Sequence, residues 1–116
     1  MADVVSVDWP AMLIRHNGRR EFVKKLAASL HAHLAEMPVK LRVASRDGDR
    51  EAMTFMAHNL KGLNLEAPRL HDLANTFDAA TRSGEVIRAE TVDALACALD
   101  AVLAELANFV RQDGET

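Results

Sequence analysis

Along most of this chain apolar side chains recur at i, i+3/i+4 and i+7, the spacing that lines them up on one face of an α-helix. A short first helix is expected to start at Asp8, a good N-cap, with Trp9, Leu13 and Ile14 facing inward. A long second helix carries Phe22, Leu26, Leu30, Leu34, Met37, Leu41 and Ala44 as one stripe. Pro38 interrupts it. A helix-interior proline loses a hydrogen bond and clashes with the carbonyl four residues back, so a kink or break is expected there. A third helix begins near Asp49 and runs through Met53, Met56, Ala57, Leu60 and Leu63. A fourth has Pro68 in its first turn, buries Leu70, Leu73, Ala74 and Phe77, and stops around Gly84. The last carries Val92, Leu95, Leu99, Val102, Leu103, Leu106 and Phe109. Turn and cap chemistry separates them at Asn17-Gly18, Asp47-Gly48-Asp49, Glu66-Ala67-Pro68 and Ser83-Gly84. The pattern predicts an all-α fold: an antiparallel up-and-down four-helix bundle, one end capped by the short N-terminal helix.

Composition narrows this picture without changing it. A chain of 116 residues is one domain, 1–116, with 49% apolar and 27% charged residues. Net charge is −3 and the 14 basic residues are scattered, so no nucleic-acid partner is expected. The pairs Arg19–Arg20 and Lys24–Lys25 read as a solvated helix face. One cysteine, Cys97, excludes an internal disulfide and suits a reducing compartment. Its apolar neighbours, Leu95 to Leu99, make it a small residue at or near the core. No stretch approaches the ~18 apolar residues of a membrane span. The first residues do not follow the charged-then-apolar plan of a signal peptide. A cytoplasmic monomer without direct membrane contact is the expectation.

One residue breaks the amphipathic pattern. At about 100° per residue, Met53, Met56, Ala57, Leu60 and Leu63 share a face, and His58 lies roughly 140° from Met53. Lys61 and Gly62, three and four positions on, are its neighbours on the helix surface. This sets an imidazole on the outside of the bundle, beside a cation and a bare stretch of backbone. Neutral imidazole, well populated near pH 7, is a good nucleophile that can hold a phosphoryl group as a phosphoramidate. Lys61 supplies a compact positive charge for the incoming oxygens. A glycine inside a helix costs about 1 kcal/mol relative to alanine. At position 62 it removes the side chain that would keep a partner protein from closing over His58. Each residue also has an ordinary reading, since most surface histidines and Lys-Gly pairs carry no chemistry. The other histidines are weaker candidates: His31 and His33 diverge on a helix, and His16 and His71 lack partners at i+3 or i+4. Zinc needs three or four converging ligands, and no such set stands out, so no metal site is expected.

Ala57-His58-Asn59-Leu60-Lys61-Gly62 resembles the A-H-x-L-K-G signature of histidine-containing phosphotransfer (HPt) domains. Other segments are similar in the same order. Val7-Asp8-Trp9 with Asn17-Gly18 is similar to the lead-in of HPt modules at the C-termini of bacterial hybrid sensor histidine kinases. Arg46-Asp47-Gly48-Asp49 resembles the turn before the histidine helix, and Leu70-x-x-Leu73-Ala74-x-x-Phe77-Asp78 with Ser83-Gly84 resembles the helix after it. The resemblance implies a phosphorelay intermediate. His58 accepts a phosphoryl group from a receiver-domain aspartyl-phosphate and passes it to another receiver aspartate. Such a domain is a phosphocarrier and not an enzyme; it has no kinase activity of its own and needs no cofactor, magnesium belonging to the receiver. Its partners are receiver domains of response regulators or of hybrid histidine kinases. The chain accordingly has no Gly-rich phosphate loop. Asp78 falls where the family often carries Glu or Gln near the histidine. There it either accepts a hydrogen bond from the imidazole or is an exposed helix acid. Phe55, one turn before His58 and off the core stripe, is a candidate docking contact for the receiver. The segment Leu63-Asn64-Leu65-Glu66-Ala67-Pro68 departs from the family in being shorter and lacking glycine, which leaves the register of the fourth helix against His58 open. The alternative is a non-catalytic helical docking module that binds a receiver without phosphotransfer.

Overall fold

The computed structural model describes residues 6–112; the ends of the expected 1–116 domain, 1–5 and 113–116, lie outside the described residues. Six α-helices account for the secondary structure there: α1 (Trp9–Arg15), α2 (Arg20–Leu34), α3 (Met37–Asp47), α4 (Arg50–Lys61), α5 (Pro68–Ser83) and α6 (Ala89–Arg111). The molecule is an all-helical bundle. Among the described residues no helix is long and apolar enough to cross a membrane.

Local chemistry sets the boundaries. The carboxylate of Asp8 accepts a hydrogen bond from the Ala11 N–H and that of Asp49 from the Ala52 N–H, both at 3.1 Å, which caps α1 and α4. The long stripe from Phe22 to Ala44 is split into α2 and α3, with Pro38 in the first turn of α3, where its missing N–H is harmless. Gly48 and Gly84 end α3 and α5 in the left-handed conformation at φ 68° and 83°.

α6 runs through the middle of the packing, against α2, α3 and α5, while α4 lies against α5 and α3. All seven stripe residues of α6 are buried, as are Met53, Met56, Ala57 and Leu60 of α4 and Leu70, Ala74 and Phe77 of α5. The expected face of α2 is turned. Val23, Ala27 and Leu34 are buried, Leu26 and Leu30 sit on the shoulder, and Phe22 is 45% exposed with its ring tilted against His16. Two neighbouring stripes share this sequence, and the one with small residues is the one buried. Lys24 goes inward with it, so it does not belong to a solvated face, although Arg19, Arg20 and Lys25 are exposed. Ile14 is 78% exposed: in a seven-residue helix the single inward face runs Trp9, Met12, Leu13 and His16, and Ile14 falls outside it. Cys97 is exposed rather than near the core, because it points away from the Leu95–Leu99 face towards Arg42.

The first residues clasp the rest. The Glu105 carboxylate accepts the Ser6 and Val7 N–H groups at 2.6 and 2.8 Å, and Trp9 stacks on Phe109 with centroids 4.0 Å apart. The other side of α1 holds the segment after α4. The Asp8 N–H donates to the Glu66 carbonyl at 2.8 Å, and Arg15 pairs with both Asn64 and Glu66. His71 donates to the Leu65 carbonyl at 2.7 Å from within α5. The short 63–68 segment is thus fastened from two sides.

The burial contrast has a direct check by urea denaturation. Phe77→Ala, at 0% exposure, should lower stability by about 3–5 kcal/mol. Ile14→Ala should change it by less than about 0.5 kcal/mol. Equal effects would mean that α1 and α5 bury other faces.

Candidate functional site

The outer face of α4 carries Glu51, Thr54, Phe55, His58 and Lys61, none of them buried, while Met53, Met56, Ala57 and Leu60 face the core. His58 is exposed, as its position in the helical period requires. It lines a shallow depression of about 580 Å³ together with Arg50, Glu51, Thr54, Phe55 and Arg82. Two arginines therefore share the histidine's surroundings, neither of which stood out in the sequence. Arg50 lies two turns before His58 on roughly the same side of α4, about 80° away. Its guanidinium donates to the Thr81 and Ala80 carbonyls at 3.1 and 2.9 Å, over the last turn of α5. Carbonyls at a helix end attract a cation, so Arg50 is held against α5. Arg82 comes from α5 itself, four residues after Asp78. That i,i+4 spacing was the legible signal for it.

Asp78 matches neither expectation. It is not an exposed acid: its side chain is only 4% exposed. Nor does it serve the imidazole, because its Oδ2 accepts from Lys61 Nζ at 3.1 Å and from Arg82 Nε at 3.0 Å. Oδ1 is buried with no hydrogen-bond partner among the described residues. The hydrogen bond from Arg82, then that from Lys61, hold the carboxyl below its ordinary range against the opposing effect of burial. The cation beside His58 is thus tied across to α5 by a carboxylate for which the sequence had offered only the histidine or solvent.

Gly62 also needs correction. It is not inside a helix but at the C-cap of α4, at φ −89°, its N–H shared between the His58 and Asn59 carbonyls. The helical penalty therefore does not apply to it. A Cβ built there meets only those two carbonyl oxygens, each at 3.8 Å, an ordinary contact. Nothing in the fold demands glycine at this position. The bare backbone stays exposed next to His58.

Phe55, 66% exposed, forms a ridge between the His58 depression and a second groove of about 630 Å³ between α3 and α4. Met37, Val39 and Val43 line that groove, and Val39 is 63% exposed. An apolar strip therefore runs up to the histidine. No group of three or more His, Cys, Asp or Glu side chains could hold a metal ion among the described residues. No protein-family model, no curated protein and no solved structure matches this chain.

The Asp78 pair has a pH signature. A carboxyl whose folded pKa lies below its unfolded value, ordinarily near 3.9, stabilises the fold above that value. The contribution is lost as pH falls through the folded pKa. Urea midpoints should therefore fall on acidification below about pH 5, and the fall should be shallower in Asp78→Asn than in the parent. Parallel curves for the two proteins would show that the pair does not contribute to acid sensitivity.

Proposed function

We propose that this chain is a phosphorelay intermediate of the histidine phosphotransfer kind. His58 takes a phosphoryl group from an aspartyl-phosphate on a receiver domain and hands it to the aspartate of another receiver. One observation carries this reading above the others: a solvent-facing histidine shares an open depression with two arginines, Arg50 and Arg82, and has Lys61 three positions on along the same helix. In the forward step an imidazole nitrogen of His58 forms a bond to phosphorus as the phosphorus–oxygen bond to the receiver carboxylate breaks. The carboxylate leaves with that electron pair, and the imidazole ring releases its proton to solvent. Lys61 and Arg82 face the negative charge that moves with the phosphoryl group. The chain itself needs no nucleotide in this scheme and acts as a carrier.

The partner surface in this reading is the strip of Phe55, Val39 and Val43, an exposed apolar patch of the sort transient protein interfaces use. The accompanying architecture is an antiparallel up-and-down four-helix bundle in which α2 and α3 count as one broken helix and α1 caps an end. Arg50, in the first turn of α4, reaching the last turn of α5 supports the antiparallel pairing of those two. The same apolar strip favours a second reading, a docking module that binds a receiver and transfers nothing.

Incubation with a phosphorylated receiver separates the two. The expected product is an acid-labile, base-stable label on the chain, absent from His58→Gln; label that survives the substitution would rule out this site. Lys61→Ala should slow transfer by roughly 10–100-fold with its circular dichroism unchanged. Gly62→Ala offers a separate check, since the fold leaves room for the methyl group. Its stability should stay within about 0.5 kcal/mol of the parent, while transfer from the receiver slows. A normal transfer rate would mean that no partner approaches the backbone at position 62.

A further inference from the structure

Three cations near a histidine raise the question of what aims them, and Arg50 alone is held by backbone carbonyls. We propose that Asp78 is the positioning residue of this site: through its single oxygen Oδ2 it holds Lys61 and Arg82 beside His58 with donors left over for a phosphoryl group. The proposal rests on the phosphocarrier reading above and adds a residue that does not itself touch the histidine.

The division of labour follows from the donors. A lysine ammonium has three N–H groups and an arginine guanidinium five. Asp78 takes one contact from each cation, from Nζ of Lys61 and from Nε of Arg82. The outer fork of Arg82, the part suited to phosphate oxygens, is left clear of the Asp78 contact. Exposure is divided in the same way. The carboxylate is 4% exposed, whereas the Lys61 and Arg82 side chains are 40% and 58% exposed, so the anchor is inside and the working ends are outside. Lys61 comes from α4 and Arg82 from α5, and one oxygen brings them to a common point. Without it, both are long flexible chains free to turn into solvent.

Ionisation of Asp78 favours the folded state, but stability by itself does not call for a carboxylate rather than an apolar side chain at this position. A buried ion pair is weak evidence of stabilisation, since an apolar side chain of similar size often does as well. Oδ1 moreover stays buried and unpartnered, the kind of group that needs an explanation other than packing.

Chemical phosphorylation with phosphoramidate tests the proposal without a receiver. A His58 nitrogen bonds to phosphorus as the reagent's phosphorus–nitrogen bond breaks, and ammonia leaves, taking up the proton that the imidazole ring releases. Phosphorylation rates are followed by phosphorus NMR for the parent, Asp78→Asn, the double variant Lys61→Ala/Arg82→Ala, and the triple variant. Asp78→Asn is expected to slow the reaction by on the order of tenfold in the parent. In the double variant the same change should add less than about twofold, because the side chains it positions are gone. A full Asp78 effect in both backgrounds would show that it acts on His58 or on the fold, and overturns the proposal. A parental rate for Asp78→Asn overturns it too. If Asp78→Asn does not fold, the exposed Arg82→Ala decides: it should slow phosphorylation, and a normal rate sinks the idea. Failure of the parent to take label on His58 from either phosphoramidate or a receiver is a different result, seen before any Asp78 variant is made, and it removes the phosphocarrier reading itself.

Discussion

One oxygen atom of Asp78 receives a cation from each of two helices in a place that water scarcely reaches. Lys61 arrives from the last turn of α4 and Arg82 from α5, so the contact ties the end of the histidine helix to its neighbour. Arg50 makes a second tie, from the first turn of α4 to the carbonyls that close α5. Between these two ties the outer face of α4 is presented to solvent and its inner face is packed through Met53, Met56, Ala57 and Leu60. The position of His58 depends on that arrangement. A helix fastened at both ends cannot roll, and rolling is the motion that would take the imidazole out of its cationic surroundings.

The remainder of the bundle supports the same helix at a distance. α6 supplies a continuous apolar face against α2, α3 and α5, and α5 in turn carries Asp78 and Arg82 to their places. The N-terminal clasp reaches the other end of the site. Glu105 holds the Ser6 and Val7 amides, Trp9 lies on Phe109, and α1 then grips the 63–68 segment through Asp8 and Arg15. A short loop held in this way leaves little freedom to the chain between Gly62 and Pro68. Rigid elements, not loops, therefore carry the histidine and its cations, the setting in which small displacements are most strongly resisted.

Much of the candidate site was legible before any coordinates. The exposure of His58 followed from period alone, because 3.6 residues per turn forces a residue between two stripe positions to the outside. Phe55 was placed outside by the same arithmetic. Gly62 was misjudged for a local reason: helix ends fray within a residue or two of any boundary signal, and the pattern gave no stop before Leu63. Arg50 and Arg82 were missed for a different reason. Arg82 shows along the chain only its i,i+4 spacing to Asp78, and it meets His58 only because α4 and α5 pack side by side. Arg50 shares α4 with His58 but is held in place by the carbonyls of α5. The role of Asp78 could not be read at all, since it depends on which cations the neighbouring helix brings within reach.

The amino-acid sequence by itself determined the all-helical class, the helix boundaries at Asp8, Asp49, Pro68 and Gly84, the break near Pro38, the inner faces of α4, α5 and α6, and the outward direction of His58. These are properties of single helices, and local hydrogen bonding and hydrophobic period are enough to set them. Tertiary structure decided which of two adjacent stripes α2 buries, where Ile14 and Cys97 point, why Lys24 is inside, and what Asp78 holds. Each of those is a choice between neighbouring orientations that look alike along the chain. They differ only in what another helix places opposite them: small residues that let α6 come close, or two cations that one buried carboxylate can share.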